Sequence, residues 1–311
     1  MINKTSRICV LCGGPSREAE VSRNTGKAVY QALVSLGYRA ELLEYKPAQI
    51  AGELVEKGIE AVFLALHGKF GEDGTIQGML ELLGIPYTGS GVTSSAITMD
   101  KIMSAHVFQN AGIPMARSMP FYQKDGIEKA VEIITGSFSF PVVLKPACEG
   151  STIGIEIVKE ESALPGALSR VFQVEPRILA ESYLDGEEFT VSVLDGTAFP
   201  VIHIRPHSGA YDYYSKYTRG ATDYIVPADI PEALAQEMAR ISIRAYQAAE
   251  CAGAVRFDFR TDKNGRPFLL EANSIPGMTE TSLVPKAAQA AGLDFPHLCE
   301  KILLGASLGK V

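Results

Sequence analysis

The first hundred residues alternate short apolar runs with stretches of helical period, and this alternation constrains the fold more than any other feature of the chain. Residues 8–12 read as a buried strand and lead into the turn Gly13-Gly14-Pro15-Ser16, after which Ala28, Val29, Ala32, Leu33 and Leu36 recur at helical spacing. Residues 41–45 read as a short strand, 50–57 as a helix and 61–66 as a strongly apolar strand; the loop from His67 to Gly74 precedes a further helix through Leu83. A strand–helix–strand–helix order needs crossovers between strands that run the same way. It therefore predicts a parallel sheet that takes its ligands at the carboxyl ends of the strands.

A helix is expected over 94–110, ended by Gly112-Ile113-Pro114. From Ala116 the texture changes to strands in pairs, at 140–145, 155–158, 178–183, 189–194 and 199–204, with one helix near 163–172 between them. Residues 206–224 hold five tyrosines (211, 213, 214, 217 and 224) without a period and read as a long loop. A helix over 231–252, two strands around Asp262-Lys263-Asn264-Gly265 and terminal helices complete the chain. The expected fold is thus α/β and α+β, in three units: residues 1–100 as an N-terminal α/β domain with a Rossmann-like parallel sheet, then 101–185 and 186–311. With 311 residues, 46% hydrophobic and 21% charged, the chain can bury full cores and is not intrinsically disordered.

Composition also removes function classes. A formal charge of −7 and a pI near 5.4 argue against a dedicated nucleic-acid binder, which carries a basic stripe. The apolar runs fall far short of the ~20 residues of a membrane span. Lys4 and Arg7 precede only a five-residue apolar run, too short for a signal-peptide core. Cys9, Cys12, Cys148, Cys251 and Cys299 have no framework spacing; Cys9 and Cys12 read as small apolar residues of a buried strand rather than a zinc or redox pair. A cytoplasmic protein is expected.

The sharpest chemical signal is the pair Val255-Arg-Phe-Asp-Phe259 and Phe268-Leu-Leu-Glu-Ala-Asn273, separated by a turn containing Asn264-Gly265. A two-residue turn there makes Lys263 face Arg266, which sets Asp258 opposite Glu271 and Arg256 opposite Asn273. Side chains alternate along a strand, so these four polar groups share one face while Phe257, Phe259, Leu270 and Ala272 share the other. Two facing carboxylates repel unless a cation lies between them, and oxygen ligands with an Asn favour Mg²⁺ over zinc. The competing arrangement is a solvated face closed by an arginine–carboxylate pair.

Other segments are weaker alone. Lys145-Pro146 followed by Glu149-Gly-Ser-Thr-Ile-Gly154 puts a lysine at a strand end before a Gly- and Ser-bearing loop that can fold over phosphates, although without P-loop spacing. Glu181 and Glu188 stand at strand ends, where carboxylates can accept from a nucleoside. Glu18 follows the first strand in a ligand-binding position. Ser282 reads as the cap of a helix whose start suits a carboxylate ligand.

Together these residues resemble the D-alanine–D-alanine ligases of the ATP-grasp superfamily, from residue 7 to the last helix. The matching segments are Cys12-Gly-Gly-Pro-Ser-Arg-Glu-Ala-Glu-Val-Ser22, Leu66-His-Gly68 with Gly71-Glu-Asp-Gly74, Pro86-Tyr-Thr-Gly-Ser-Gly91, Met99-Asp-Lys101, Lys145-Pro146, Glu188-Phe-Thr-Val191, Tyr211-Asp-Tyr213 with Lys216-Tyr217, and Glu271-Ala-Asn273 with Pro276-Gly-Met-Thr279. The resemblance implies a two-part ATP-grasp fold after the N-terminal domain, with the metal site and a lid in the last part. It implies an ADP-forming ligation of two D-alanine molecules through an acyl phosphate, for peptidoglycan precursor synthesis, by an enzyme that forms homodimers.

It also assigns roles. Lys101 and Lys145 correspond to phosphate-contacting lysines, Ser151 and Lys216 join the nucleotide site, and Glu181, Tyr183, Leu184 and Glu188 surround adenine and ribose. Asp258, Glu271 and Asn273 correspond to the ligands of two Mg²⁺, with Mn²⁺ as an alternative. Glu18 corresponds to the acceptor of the first D-alanine's ammonium, with His67 beside it and Ser151 and Tyr217 bonded to it. Arg256 and the Gly277 backbone correspond to the oxyanion stabilisers, and Ser282 and Leu283 to the dock of the second carboxylate. Two departures stand out: Thr152 where many relatives have Ser, and Tyr183 where some have Trp. Relatives making D-alanyl-D-lactate or D-alanyl-D-serine and a nucleotide-binding regulator without chemistry are the alternatives; Tyr217 argues against the depsipeptide.

Overall fold

The computed structural model describes residues 2–150, 152–208, 218 and 220–310. Near the N-terminus, β1 (Ile8–Cys12), β2 (Ala40–Glu44) and β3 (Ala61–Leu64) form a parallel sheet in the order β2-β1-β3. The central strand β1 is buried along its whole length, which is why its sequence is an unbroken apolar run rather than an alternating one. The helices α1 (Ala19–Ser35), α2 (Ile50–Glu56) and α3 (Thr75–Leu83) follow the three strand positions. Helix α1 lies against β1 so closely that a Cβ on Gly26 would stand 2.4 Å from the Cys12 Cβ.

The single helix expected over 94–110 is two helices, α4 (Val92–Met99) and α5 (Lys101–Asn110). The break falls at Asp100, which leaves helical geometry (ψ 107°) and accepts from the backbone N–H of Ile102 and Met103. An aspartate competes for local backbone donors in this way, and it makes Lys101 the first residue of a new helix.

A four-stranded antiparallel sheet follows, in the order β4-β7-β5-β6, from β4 (Ser118–Tyr122), β5 (Val142–Pro146), β6 (Glu156–Val158) and β7 (Arg177–Ser182). Helices α6 (Ile127–Ser137) and α7 (Leu164–Val174) supply Ala130, Ile134, Leu168 and Val171 to the core it shares with Val142, Leu144, Ile178 and Ala180. Neither β4 nor α6 was expected from the sequence. Pro120 disguises β4, and a proline is tolerated there because β4 is an edge strand. In α6 the β-branched run Ile133-Ile134-Thr135 lowers helix propensity, and burial of Ala130 and Ile134 overrides it.

The largest sheet contains β8 (Glu188–Leu194), β9 (Thr197–Ala198), β10 (Ile202–Pro206), β11 (Thr222–Ile225), β12 (Ala254–Thr261) and β13 (Pro267–Asn273). Its order is β11-β10-β8-β12-β13, with β9 paired to β8. Strand β11 occupies the end of the expected 206–224 loop and pairs with β10, which corrects that end of the reading, while residues 209–217 and 219 lie outside the described residues. Helix α8 (Glu232–Ala248) covers Val191, Val193, Phe257 and Phe259 with Met238, Ile241 and Ala245. The last helices, α9 (Leu283–Ala290) and α10 (Phe295–Leu304), return to the N-terminal sheet, where Leu298, Cys299 and Leu303 pack with Val29, Leu33 and Val10.

The β12–β13 hairpin has the expected pairs Arg256/Asn273 and Asp258/Glu271, but its turn is different. Asp262 N–H bonds Arg266 O at 3.0 Å and Gly265 N–H bonds Asp262 O at 2.9 Å, with Gly265 at φ +76°. Three residues form the tip, with glycine in the left-handed position. Thr261 therefore faces Pro267, one residue from the expected register, and a bulge at Leu270 restores the alignment before Glu271. The two offsets cancel. Their lasting effect is that Leu269 enters the core while Leu270 turns to the opposite face, reversing the expectation for Leu270.

Candidate active site

Two cavities meet at Glu271. The first, about 510 Å³, lies between the carboxyl ends of β1 and β3 and the segment after β13. It gathers Glu18, His67, Lys101, Arg256, Glu271, Asn273, Gly277, Ser282 and Leu283. Its N-terminal wall is fixed by Ser22, whose hydroxyl accepts from Gly13 N–H at 2.7 Å and donates to Ala65 O at 2.6 Å, tying the ends of β1 and β3 together. Ser16 donates to His67 O at 2.7 Å and holds the two loops side by side. The Glu18 carboxylate lies against Gly68 and Gly150: a Cβ on either would come within 3.0 Å of its Oε2, so this crossing requires small residues.

His67 is buried, with Nε2 3.2 Å from the Thr25 hydroxyl. Burial, with Arg256 adding, pushes its pKa down to about 4 against the opposing effect of a hydrogen bond that the ring donates to the Ile275 backbone, so the ring is neutral at pH 7. Glu72, from the Gly71-Glu-Asp-Gly74 segment, also lines this cavity and accepts from Gly68 N–H at 2.6 Å. Burial, then the neighbouring Glu18, push its pKa up to about 8. Glu72 is a cavity residue that the sequence alone does not single out; an acidic residue in a Gly-rich loop at a strand end is the available signal.

Asp258 is saturated with donors. Its Oδ1 accepts from Arg256 Nε at 2.8 Å and Thr190 Oγ1 at 2.7 Å, and its Oδ2 from the Arg256 Nη2 at 2.8 Å and Asn273 Nδ2 at 3.2 Å. The arginine–carboxylate pair that the sequence left as the competing arrangement is thus formed. Thr190, in the Glu188-Phe-Thr-Val191 segment, is a further residue the sequence reading did not single out. Lys101 bonds Glu149 O at 2.8 Å and stands 3.5 Å from Glu271 Oε2.

The second cavity, about 410 Å³, lies between the four-stranded sheet and the hairpin. It holds Lys145, Glu181, Tyr183, Leu184, Glu188 and Asp258, with apolar walls from Ile155, Ile157, Ile204 and Leu270. Lys145 and Glu181 form an ion pair there. Burial depresses the lysine, but Glu181 more than offsets this and, with Glu271 and Glu188, holds it above the ordinary lysine value. Arg260 spans the rim, 3.1 Å from Glu188 and stacked over the Tyr183 ring at 5.2 Å.

Among the sequence-expected residues, Ser151, Lys216 and Tyr217 lie outside the described residues. Ser282 stands at the N-cap position of α9 but does not cap it. Its hydroxyl accepts from Thr279 N–H at 3.1 Å and pairs with the Thr279 hydroxyl at 2.8 Å, which corrects the expected cap. Among the described residues no three His, Cys, Asp or Glu side chains form a ready cation cluster. The fit to Mg²⁺ rests on two facing carboxylates and an Asn amide, an oxygen donor set of the right hardness.

The chain matches a family model described as D-ala D-ala ligase C-terminus over residues 107–304 and one described as D-ala D-ala ligase N-terminus over residues 43–90. It is 46% identical over 305 residues to the D-alanine–D-alanine ligase of Syntrophotalea carbinolica, covering 98% of this chain and 97% of that protein. The crystal structure of the D-alanine–D-alanine ligase from Bacillus anthracis is similar at 36% identity and a TM-score of 0.85, covering 97% of each chain. The structure of the ligase from that organism complexed with ATP is similar at 34% identity and a TM-score of 0.81, again covering 97% of each chain. Likeness of sequence over nearly the whole length and of fold over nearly every element leads to one conclusion: this chain belongs to the D-alanine–D-alanine ligase family, with the ATP-grasp fold.

Proposed function

We propose that this chain ligates two D-alanine molecules to D-alanyl-D-alanine, consuming ATP and releasing ADP and phosphate, for peptidoglycan precursor synthesis in the cytoplasm, as a homodimer. The observation that carries the reading is the meeting of the two cavities at Glu271, with Lys101, Lys145 and Arg256 around Asp258 and Glu271. Anionic carboxylate and anionic nucleotide can approach only where fixed cations cancel their repulsion, and the junction concentrates them.

In this reading the second cavity takes the nucleotide, its base between Tyr183, Leu184, Ile157 and Leu270 and its polar edge against Glu181 and Glu188. Lys145 leaves Glu181 for phosphate oxygens and Lys101 neutralises the same end. Asp258, Glu271 and Asn273 would hold two Mg²⁺, or Mn²⁺; when bound, these ions supply charge neutralisation and orientation of the phosphates. The first cavity takes the amino acids: Glu18 receives the first ammonium beside neutral His67, and Ser282 and Leu283 receive the second carboxylate.

The first carboxylate oxygen bonds to the γ-phosphorus as ADP departs. The second amine, losing its proton, then attacks the acyl carbon, and phosphate leaves. Arg256 and the Gly277 N–H stand to bind the oxyanion that forms between these events. By resemblance Ser151 and Tyr217 bond Glu18 and Lys216 meets the nucleotide, and the Tyr-rich 206–224 segment that carries Lys216 and Tyr217 is the candidate lid that excludes water from the acyl phosphate. Residues 1–100 belong to the amino-acid side, and 101–185 and 186–311 enclose the nucleotide.

The test is product analysis by mass spectrometry, with Mg²⁺ and ATP and with D-alanine offered alone or against D-lactate and D-serine. D-alanyl-D-alanine in proportion to ADP supports the proposal. A dominant ester or mixed dipeptide assigns a different second substrate, and ADP release independent of D-alanine means the chain is an ATPase.

A further inference from the structure

Arg177, the first residue of β7, lines neither cavity, yet it joins the segments that converge on the phosphate end of the site. Its Nη1 donates to Asp100 Oδ2 at 2.7 Å, and its Nη2 donates to Cys148 Sγ at 3.0 Å and lies 3.5 Å from Glu175 Oε1. Asp100 uses its other oxygen to cap α5 through Ile102 N–H at 2.9 Å and Met103 N–H at 3.1 Å, immediately beside Lys101. Glu175 uses its other oxygen to accept Cys148 N–H at 2.7 Å. The backbone continues the chain of contacts: Ala147 N–H bonds Arg177 O at 3.0 Å, and Lys101 N–H bonds Ala147 O at 2.8 Å.

One guanidinium thus holds the start of α5 and the root of the glycine-rich loop in a fixed relation. Its planar fork serves both at once, which a lysine point charge cannot do. Burial, with Glu175 and Asp100 adding, pushes the Cys148 thiol up to about 12, so the sulfur meets Arg177 as a neutral acceptor and the charge on Arg177 stays committed to the two carboxylates.

We infer that Arg177 is a positioning residue for nucleotide binding: it sets Lys101 and the loop after β5 at the distance from each other that a polyphosphate requires, without touching the nucleotide itself. This rests on the reading of Lys101 and that loop as phosphate contacts. A brace that served stability alone would lower the melting temperature and leave substrate affinities in their original ratio. A positioning role loosens one substrate and spares the other.

The experiment compares Arg177→Ala, Arg177→Lys and Lys101→Ala, each with its melting temperature, the affinity for ADP with Mg²⁺ by isothermal titration, and KM for ATP and for D-alanine. Arg177→Ala should weaken ADP binding and raise KM for ATP about tenfold, the effect of losing a charge-assisted hydrogen bond, while KM for D-alanine stays near its original value. Arg177→Lys, which keeps the charge beside Asp100, should recover part of that loss. If Arg177→Ala does not fold, Arg177→Gln replaces it, with the same direction expected. An unchanged ADP affinity in the Arg177 variant beside a weakened one in Lys101→Ala overturns the inference and leaves the phosphate reading intact. An unchanged affinity in Lys101→Ala overturns the phosphate reading and the inference with it.

Discussion

Arg256 and Asp258, two residues apart on one strand and so on one face, are joined by two parallel bonds of 2.8 Å, and Thr190 and Asn273 fill the remaining acceptor positions of the carboxylate. A cation that takes Asp258 as a ligand must displace one of these donors, and Arg256 has the long stem that can swing. The same arginine is the group proposed for the oxyanion, so on that proposal metal binding and arginine release would be coupled by competition for one carboxylate.

Arg256→Ala should therefore tighten Mn²⁺ binding in the absence of nucleotide by about tenfold, equal to ~1.4 kcal/mol, as one positive charge leaves the site. Electron paramagnetic resonance of free Mn²⁺ measures it. Ligation should fall in the same variant. Weaker Mn²⁺ binding after the substitution means that arginine and metal do not compete.

Glu271 belongs to both cavities, and its removal should uncouple them. Glu271→Ala should lower turnover at least ~100-fold with the fold retained, because positioning and charge cancellation supply most of the catalysis in phosphoryl transfer. Turnover at saturating Mg²⁺, with circular dichroism as the control, decides it; near-normal activity with an unchanged Mg²⁺ requirement removes Glu271 from the site.

His67 and Glu72 give stability opposite pH slopes. The folded state holds His67 near 4 against 6.5 unfolded, so from pH 6.5 down to 4 only the unfolded chain gains the proton and stability falls as pH falls, by on the order of 3 kcal/mol over the full window. Glu72 is held near 8 against 4.5 unfolded, so the folded state keeps a proton the unfolded chain has lost and stability falls as pH rises from 4.5 to 8. The slopes oppose each other between 4.5 and 6.5, and Glu72 acts alone of the two from 6.5 to 8. In urea titrations Glu72→Gln should flatten the decline between pH 6.5 and 8, and His67→Gln should turn the near-level stretch between 6.5 and 4.5 into a gain of stability as pH falls. Parallel curves for wild type and variants would sink the assignment.

Leu270 faces the second cavity only because of the bulge. Leu270→Ala removes apolar wall and should weaken ADP binding about five- to tenfold, ~1–1.4 kcal/mol, while stability changes little because the side chain is half-buried. Titration with ADP checks this; a core-sized loss of stability with ADP affinity intact would place Leu270 on the wrong face.

Two helical glycines should respond oppositely to alanine. At Gly26 the new Cβ meets Cys12 at 2.4 Å, so α1 must lift from β1, at a cost of about 1–3 kcal/mol. At Gly52, in α2, nothing lies within 4 Å, and alanine should stabilise by about 0.5–1 kcal/mol through helix propensity. Thermal melts of the two variants provide the comparison.

The sequence by itself determined what rests on neighbours a few residues apart. The parallel N-terminal sheet was legible because β1 and the strand at 61–64 are buried on both faces and so are written as unbroken apolar runs. That Arg256 and Asp258 share a face, as do Glu271 and Asn273, was legible because alternation is a local property of each strand, whereas the pairing of Asp258 with Glu271 came out as expected only because two offsets cancel. Only the tertiary structure decided the rest. The three-residue turn and the bulge at Leu270 are each invisible to alternation, since each shifts the register by one and together they leave no net shift. The break at Asp100 looks like helix in the sequence; it is fixed by a cap that Arg177, 77 residues away, holds in place. Strand β4 exists because β7 offers it an edge that a proline can occupy. Local periodicity reports which way a side chain faces. Which partner it meets depends on loop lengths, caps and edges whose energies come from contacts remote in the chain.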